Sequence, residues 1–282
     1  MLGASGLVGG EVARRATARG WAVTGAARTA RGEATVLVDA TDTDALMDLV
    51  HRYEPDAIAI CAAWPHVDGC EREPARSLRE NVGTVDNVIR ATAGSACRIL
   101  HYSSDLVFDG SKAESVESDP VSPLSVYGHH KRLAEELLLA RGRALVVRTS
   151  WVFGAEIQRK NFACQVVDAA GTGAGLVVTG QVGCPTWSGW LADSALDLLP
   201  RLDGIVHLAG SDCLTRSAWA TMLVRALGLP AVALREVPMG SVPQYAPRPS
   251  RITLKTERHA LVQPPLDGIL SREGGGLRAQ AR

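Results

Sequence analysis

Tyr127 and Lys131 stand four apart in Tyr127-Gly128-His129-His130-Lys131. They lie inside a Leu-, Ala- and Glu-rich run over 126–140 that predicts a helix, which puts both side chains on one face. Reducing a carbonyl requires a hydride at carbon and a proton at oxygen. A phenol, with a pKa of about 10, donates poorly near neutrality unless its anion is stabilised. An ammonium one turn away supplies that stabilisation and can also reach the ribose hydroxyls of a nicotinamide cofactor. The plain alternative is an exposed helical pair. Ser104, in Ser103-Ser104-Asp105, ends a strand-like run over 98–103. It would hydrogen-bond and polarise the carbonyl; otherwise it is a turn residue. A Ser at a strand end upstream of Tyr-x-x-x-Lys is far more specific than either part alone.

Such residues need a scaffold that brings strand ends and a cofactor together. Gly3-Ala4-Ser5-Gly6-Leu7-Val8-Gly9 fits G-x-x-G-x-x-G and opens a helical pattern over 9–20. Its glycines permit a tight turn and close backbone approach, and the helix that follows aims its N–H groups at a pyrophosphate. Strand-like runs at 21–25, 35–38, 57–62, 98–103 and 144–148 alternate with helical runs at 44–53, 74–93 and 126–140. The alternation predicts an α/β fold, a doubly wound parallel Rossmann sheet with a small C-terminal substrate lobe. The dinucleotide-binding domain is expected over 1–155, completed by about 186–228. The lobe is expected over 156–185 and 229–270, and 271–282, with Gly274-Gly275-Gly276, as a flexible tail. Only Met1 and Leu2 precede the glycine loop, where about five strand residues belong. Four or five apolar side chains at ~2 kcal/mol each amount to about 8–10 kcal/mol, comparable to a domain's stability. The expectation is a truncated first strand and a natural start upstream of Met1.

Two further positions bear on the cofactor. Arg28, past the second strand, could pair with the 2′-phosphate of NADP, where an acidic residue would favour NAD; alternatively it is a solvated surface Arg. Asp39 could accept from the adenine amine or belong to a helix N-cap region.

The 282 residues carry 30 Lys+Arg against 30 Asp+Glu, which argues against phosphate-backbone binding as the main business. No run is apolar enough to cross a bilayer and the N-terminus shows no secretory pattern. The six cysteines form no C-x-x-C pair and read as reduced, buried thiols of a cytoplasmic protein. The seven His offer no H-x-x-x-H or H-E-x-x-H, so no metal site is expected. His129-His130 reads as an exposed helical pair.

The glycine loop with Ser104, Tyr127 and Lys131 resembles the extended short-chain dehydrogenase/reductase superfamily. Within it, Ser103-Ser104-Asp105-Leu106-Val107-Phe108-Asp109-Gly110, Tyr127 to Lys131, Arg148-Thr149-Ser150-Trp151-Val152-Phe153-Gly154, Asn161-Phe162 and Gly183-Cys184-Pro185-Thr186 resemble the dTDP-4-dehydrorhamnose reductase family. The resemblance implies NADPH, or NADH, as hydride donor and a nucleotide-activated 4-keto-6-deoxy sugar as acceptor. It implies Ser104, Tyr127 and Lys131 as catalytic residues. Gly3, Gly6, Leu7, Val8, Gly9, Ala62 and Ala63 would line the cofactor, and Asn81 matches a structural Asn. Asp105, Trp151 and Asn161 would face the substrate. Arg248, in Pro247-Arg248-Pro249, is either a ligand of the diphosphate or a rim Arg. Leu106 stands where the family usually has Tyr, and Cys61 where Asn is usual. A homodimer is compatible with this reading. Two other functions are weighed: a non-catalytic NADP-binding regulatory subunit like that of methionine adenosyltransferase, and an epimerase or dehydratase retaining NAD. The dehydratase needs a carboxylate pair that Asp105-Leu106 lacks.

Overall fold

Strand Ala144–Arg148 is buried at every residue, and Arg98–Tyr102 at all but its first, as strands covered on both faces must be. The computed structural model describes residues 1–241 and 245–279. In chain order the elements are α1 (Leu7–Ala18), β1 (Ala26–Ala27), β2 (Val36–Leu37), α2 (Thr43–Tyr53), β3 (Ala57–Ile60), α3 (Val67–Arg72), α4 (Pro74–Leu78), α5 (Thr84–Ala91), β4 (Arg98–Tyr102), α6 (Val126–Arg141), β5 (Ala144–Arg148), β6 (Val152–Phe153), α7 (Phe162–Thr172), β7 (Leu176–Thr179), β8 (Val182–Gly183), β9 (Thr186–Trp187), α8 (Ser188–Leu198), β10 (Gly204–His207), β11 (Leu214–Thr215), α9 (Arg216–Ala226), β12 (Leu234–Val237) and α10 (Leu266–Ala279). Among the described residues no helix is long and apolar enough to cross a membrane.

The sheet is parallel in the order β10-β5-β4-β3. Leu2 bridges Ile60 on one side and Ala26 on the other, which joins β1 and β2 to the far edge. This is the doubly wound order the alternation predicts, with its switch point between Leu2 and β3, where ligands bind in such sheets. Side chains of β4 alternate between two cores. Leu100 and Tyr102 pack with Val12 and Ala16 of α1 and Leu191 of α8. Ile99 faces Val88 of α5 and Ala134 and Leu138 of α6. That period of two aims His101 at α6.

The first strand is reduced to Leu2, whose N–H donates to Ala59 O (2.9 Å) and whose carbonyl accepts from Cys61 N (2.9 Å). The strand expected at 21–25 does not form. Of that run Met1 reaches only Thr24, through its ammonium (3.0 Å), and Trp21–Thr24 line a cavity of about 690 Å³ with Leu46, Ala57 and Leu196. The helix expected over 74–93 is split by a π-helical turn at Arg79–Gly83.

The tail is the clearest correction. Residues 266–279 are one helix rather than a flexible segment, and 280–282 lie outside the described residues. Leu266, Ile269, Leu270 and Leu277 form an apolar stripe packed against Trp219 and Leu223, and the glycine triplet sits inside that helix. α9 contributes to this same cluster with α7, so it packs with the lobe and not with the sheet it was expected to complete.

Candidate active site

The loop after Leu2 turns at Gly3, whose φ of +83° favours glycine, and a Cβ there would lie 2.5 Å from the Ala62 nitrogen. The loop therefore lies directly against the segment after β3. Gly6 caps α1 without a side chain, and the first turn holds no acidic residue. Its N–H groups and the positive end of the helix dipole are thus left for an anion, as a dinucleotide pyrophosphate requires. Cys61, Ala62 and Ala63 run past this loop. They are steadied by Asn81, whose Oδ1 accepts from Trp64 N (2.8 Å) while Nδ2 donates to Trp64 O (3.2 Å). The π-helical turn carries Asn81 inward for this grip.

Arg28 donates to Glu80 Oε2 (3.2 Å) with its side chain 55% exposed, so it has an acidic neighbour without being sequestered. Asp39 Oδ1 accepts from Thr41 N (2.9 Å) and Thr41 Oγ1 (2.8 Å). Burial works against ionisation of Asp39, but these two bonds and the charge of Arg28 hold its pKa below the usual value. Asp42, not Asp39, caps α2.

Next to β3 in the same sheet, Ser103, Ser104 and Asp105 follow β4. Ser104 Oγ accepts from Leu106 N (3.2 Å) and donates to Asp105 Oδ1 (3.0 Å); Ser150, after β5, donates to Asp105 Oδ2 (2.6 Å). Burial raises the Asp105 pKa, opposed by Ser150, Ser104 and the charge of Arg216. Ser125 caps α6 through Gly128 N (3.2 Å) and so places Tyr127 and Lys131 on its buried face. Tyr127 has its pKa pushed up by burial and by Asp105, while Ser104 pulls it down. The ammonium expected to acidify this phenol points elsewhere: Lys131 Nζ donates to His101 Nε2 (3.0 Å). Burial pushes Lys131 down to about 8 and holds His101 neutral, well below its ordinary value. A lone pair at Nε2 puts the imidazole proton on Nδ1, which has no partner among the described residues.

One turn beyond Lys131, Glu135 is buried and bidentate with Arg148 of β5, through Nε (2.9 Å) and Nη2 (2.7 Å); Ser103 Oγ also donates to it. This knot ties α6, β4 and β5 together directly behind Ser104. Sequence reasoning passed over His101, Glu135 and Arg148, because a polar residue in an apolar strand or a helical Glu carries no periodic signal.

Of the expected substrate residues, Asp105 and Trp151 both neighbour Arg216. Trp151 has a φ of +37° and its ring covers Gly183, where a Cβ would lie 2.3 Å from ring atom Cε2. Asn161 corrects the expectation: it caps α7 through Cys164 N (3.3 Å) and donates to Gly154 O (2.9 Å) and Glu156 Oε1 (2.8 Å), leaving no polar atom for substrate. Arg248 donates to Asp68 Oδ1 (2.8 Å). His129 is exposed, but His130 is not its exposed twin, since its Nδ1 bonds Ser77 Oγ (2.7 Å).

Fold and site thus define a nicotinamide-dependent short-chain reductase architecture. The family model described as RmlD substrate binding domain matches residues 1–264, and the chain belongs to that family. The dTDP-4-dehydrorhamnose reductase of Mycolicibacterium smegmatis is 32% identical over 92% of this chain and 78% of its own. The spore coat polysaccharide biosynthesis protein SpsK of Bacillus subtilis is 30% identical over 89% and 86%. A solved structure, a hypothetical dTDP-4-dehydrorhamnose reductase from Sulfolobus tokodaii, is 30% identical with a TM-score of 0.77 over 89% of this chain and 90% of that one. The resemblance read from the motifs is borne out.

Proposed function

We propose that this chain reduces the keto group of a nucleotide-activated 4-keto-6-deoxy sugar, of the dTDP-4-dehydrorhamnose kind, using NADPH or NADH. The observation that carries the reading is that two sets of groups follow the carboxyl ends of neighbouring strands in one parallel sheet: a cofactor cradle after Leu2 and β3, and a carbonyl-reducing set after β4 and on α6. The cradle is the uncapped N-terminus of α1 beside Gly3 and Ala62; the set is Ser104, Tyr127 and Lys131.

Gly3 to Gly9, with Ala62 and Ala63, would hold the dinucleotide, with Arg28 at the 2′-phosphate edge and Asp39 beyond it. The bound nicotinamide supplies the hydride. The remaining chemistry belongs to the chain. Ser104 turns its hydroxyl from Asp105 to the carbonyl oxygen and stabilises the charge that grows there. Tyr127 delivers the proton. Burial makes this phenol a weaker acid than in water, yet an alkoxide is about as basic as hydroxide and so a far stronger base than any phenolate. Transfer from the phenol therefore still runs downhill. Lys131, whose Nζ here lies on His101 Nε2, would turn toward the phenolate so that its positive charge makes that anion tolerable in a buried site. Asp105 and Trp151 form the wall the sugar meets.

The test is NADPH oxidation with a panel of 4-keto sugar nucleotides. Turnover of at least one of them, abolished by Tyr127→Phe, is the expected result. No turnover on any, together with a stably co-purifying partner, would favour the regulatory-subunit alternative.

A further inference from the structure

Arg216, at the start of α9, has a guanidinium carbon 3.7 Å from the centroid of the Trp151 ring and 4.8 Å from that of Phe162. Two aromatic faces hold it in place, yet among the described residues no carboxylate or carbonyl accepts any of its side-chain N–H groups. The neighbouring charges are Asp105, which attracts it, and Arg248, which repels it. Asp105 is already bonded by Ser150 and Ser104. Arg248 differs in kind, because its own charge is answered by Asp68 at 2.8 Å. A fork of donors without an acceptor, partly withdrawn from water, costs free energy unless a ligand completes it.

Resting on the reductase reading above, we propose that Arg216, and not Arg248, receives the diphosphate of the nucleotide sugar. The backbone supports this placement. Trp151 sits in the left-handed region, against Gly183, and so presents its ring to the first turn of α9. Thr215 caps that helix through Ala218 N (3.1 Å), which fixes where Arg216 begins its reach. A planar fork flattened on an indole keeps its edge N–H groups free for paired phosphate oxygens, a geometry that an ammonium does not reproduce. Burial lowers the Arg216 pKa to about 10, which leaves it fully charged at neutral pH.

The experiment measures binding of dTDP and UDP, each beside its uncharged nucleoside, to wild type, Arg216→Gln and Arg225→Gln. Arg225 is an exposed residue of the same helix and controls for net charge. The expected result is that the diphosphate's advantage over the nucleoside falls about 10- to 100-fold in Arg216→Gln and stays within about twofold in Arg225→Gln. KM for the sugar nucleotide should rise in parallel with kcat little changed, NADPH affinity should hold, and Arg216→Lys should recover only part of the loss. Unchanged diphosphate affinity in Arg216→Gln overturns the proposal while leaving the reductase reading standing. The proposal is equally overturned if kcat and its pH profile move instead, since Arg216 would then act through Asp105. If wild type binds neither diphosphate better than its nucleoside, the proposal and the nucleotide-sugar reading fall together.

Discussion

The two flanks of the sheet are built to different standards. On one, β4 and β5 pair from Ile99↔Ala144 to Tyr102↔Val147, and the helices over them seal both faces. On the other, β1 and β2 share two residue pairs, among the described residues the strand bridging to β3 runs through Leu2 alone, and a cavity of about 690 Å³ replaces packing. The packed flank carries Ser104, Tyr127 and Lys131, the groups that the proposed reaction would need held within tenths of an ångström. The thin flank carries Arg28 and Asp39, which on the proposed reading would need only line a cofactor's far end. On that reading, tight packing coincides with the place where bonds would change.

The largest effects should come from the packed flank. Tyr127→Phe should lower kcat by about 10³-fold with NADPH affinity intact, as read by single-turnover oxidation and a binding titration. Breaking the buried pair with Glu135→Gln or Arg148→Met should cost about 3–5 kcal/mol in urea unfolding, because the partner is left as an uncompensated charge. The double replacement Glu135→Leu with Arg148→Met should recover much of that. A recovery absent from the double variant would mean that the knot acts through geometry and not through charge.

Lys131 separates activity from stability. Its folded value of about 8 lies below its ordinary 10.5. The unfolded chain therefore binds more protons between those values, and stability should rise with pH across that window. Turnover, which needs the ammonium, should fall as pH passes about 8. Paired pH series of kcat and urea midpoint check the opposition; parallel curves would contradict it.

The smallest test contrasts the flanks directly. Ala57→Val, toward the cavity, should stabilise by about 0.5–1 kcal/mol, whereas Ala144→Val in the filled core should cost about 1–3 kcal/mol. Equal costs would mean that the cavity wall is as tightly constrained as the core.

Much of the fold and site is legible in the sequence, for identifiable reasons. β5 matches its expected bounds at both ends, and α6 and β4 agree to within a residue, because strong helix formers and unbroken apolar runs leave little choice. Tyr127, Lys131 and Ser104 stand out as candidates through spacing, and the structure buries all three. What failed depended on distant partners. Trp21–Gly25 has strand composition, but composition cannot supply the neighbour a ladder needs. Three glycines at 274–276 read as fraying, although Leu266, Ile269 and Leu270 had already committed that segment to Trp219. Arg216 was invisible because its meaning rests on an indole 65 positions earlier, and Asn161 was misread because a side chain in a family motif can serve the backbone as readily as a ligand.

With Leu2 alone, among the described residues, bridging Ala26 to Ile60, this protein's heat resistance should report its occupancy. A dinucleotide spanning Gly3, Ala62 and the residues after β1 would stitch the loose margin to the firm one. Saturation at a hundred times Kd adds about 2.7 kcal/mol to the folded state. A cell's reducing power, registered as bound coenzyme, would then help decide how long each molecule survives.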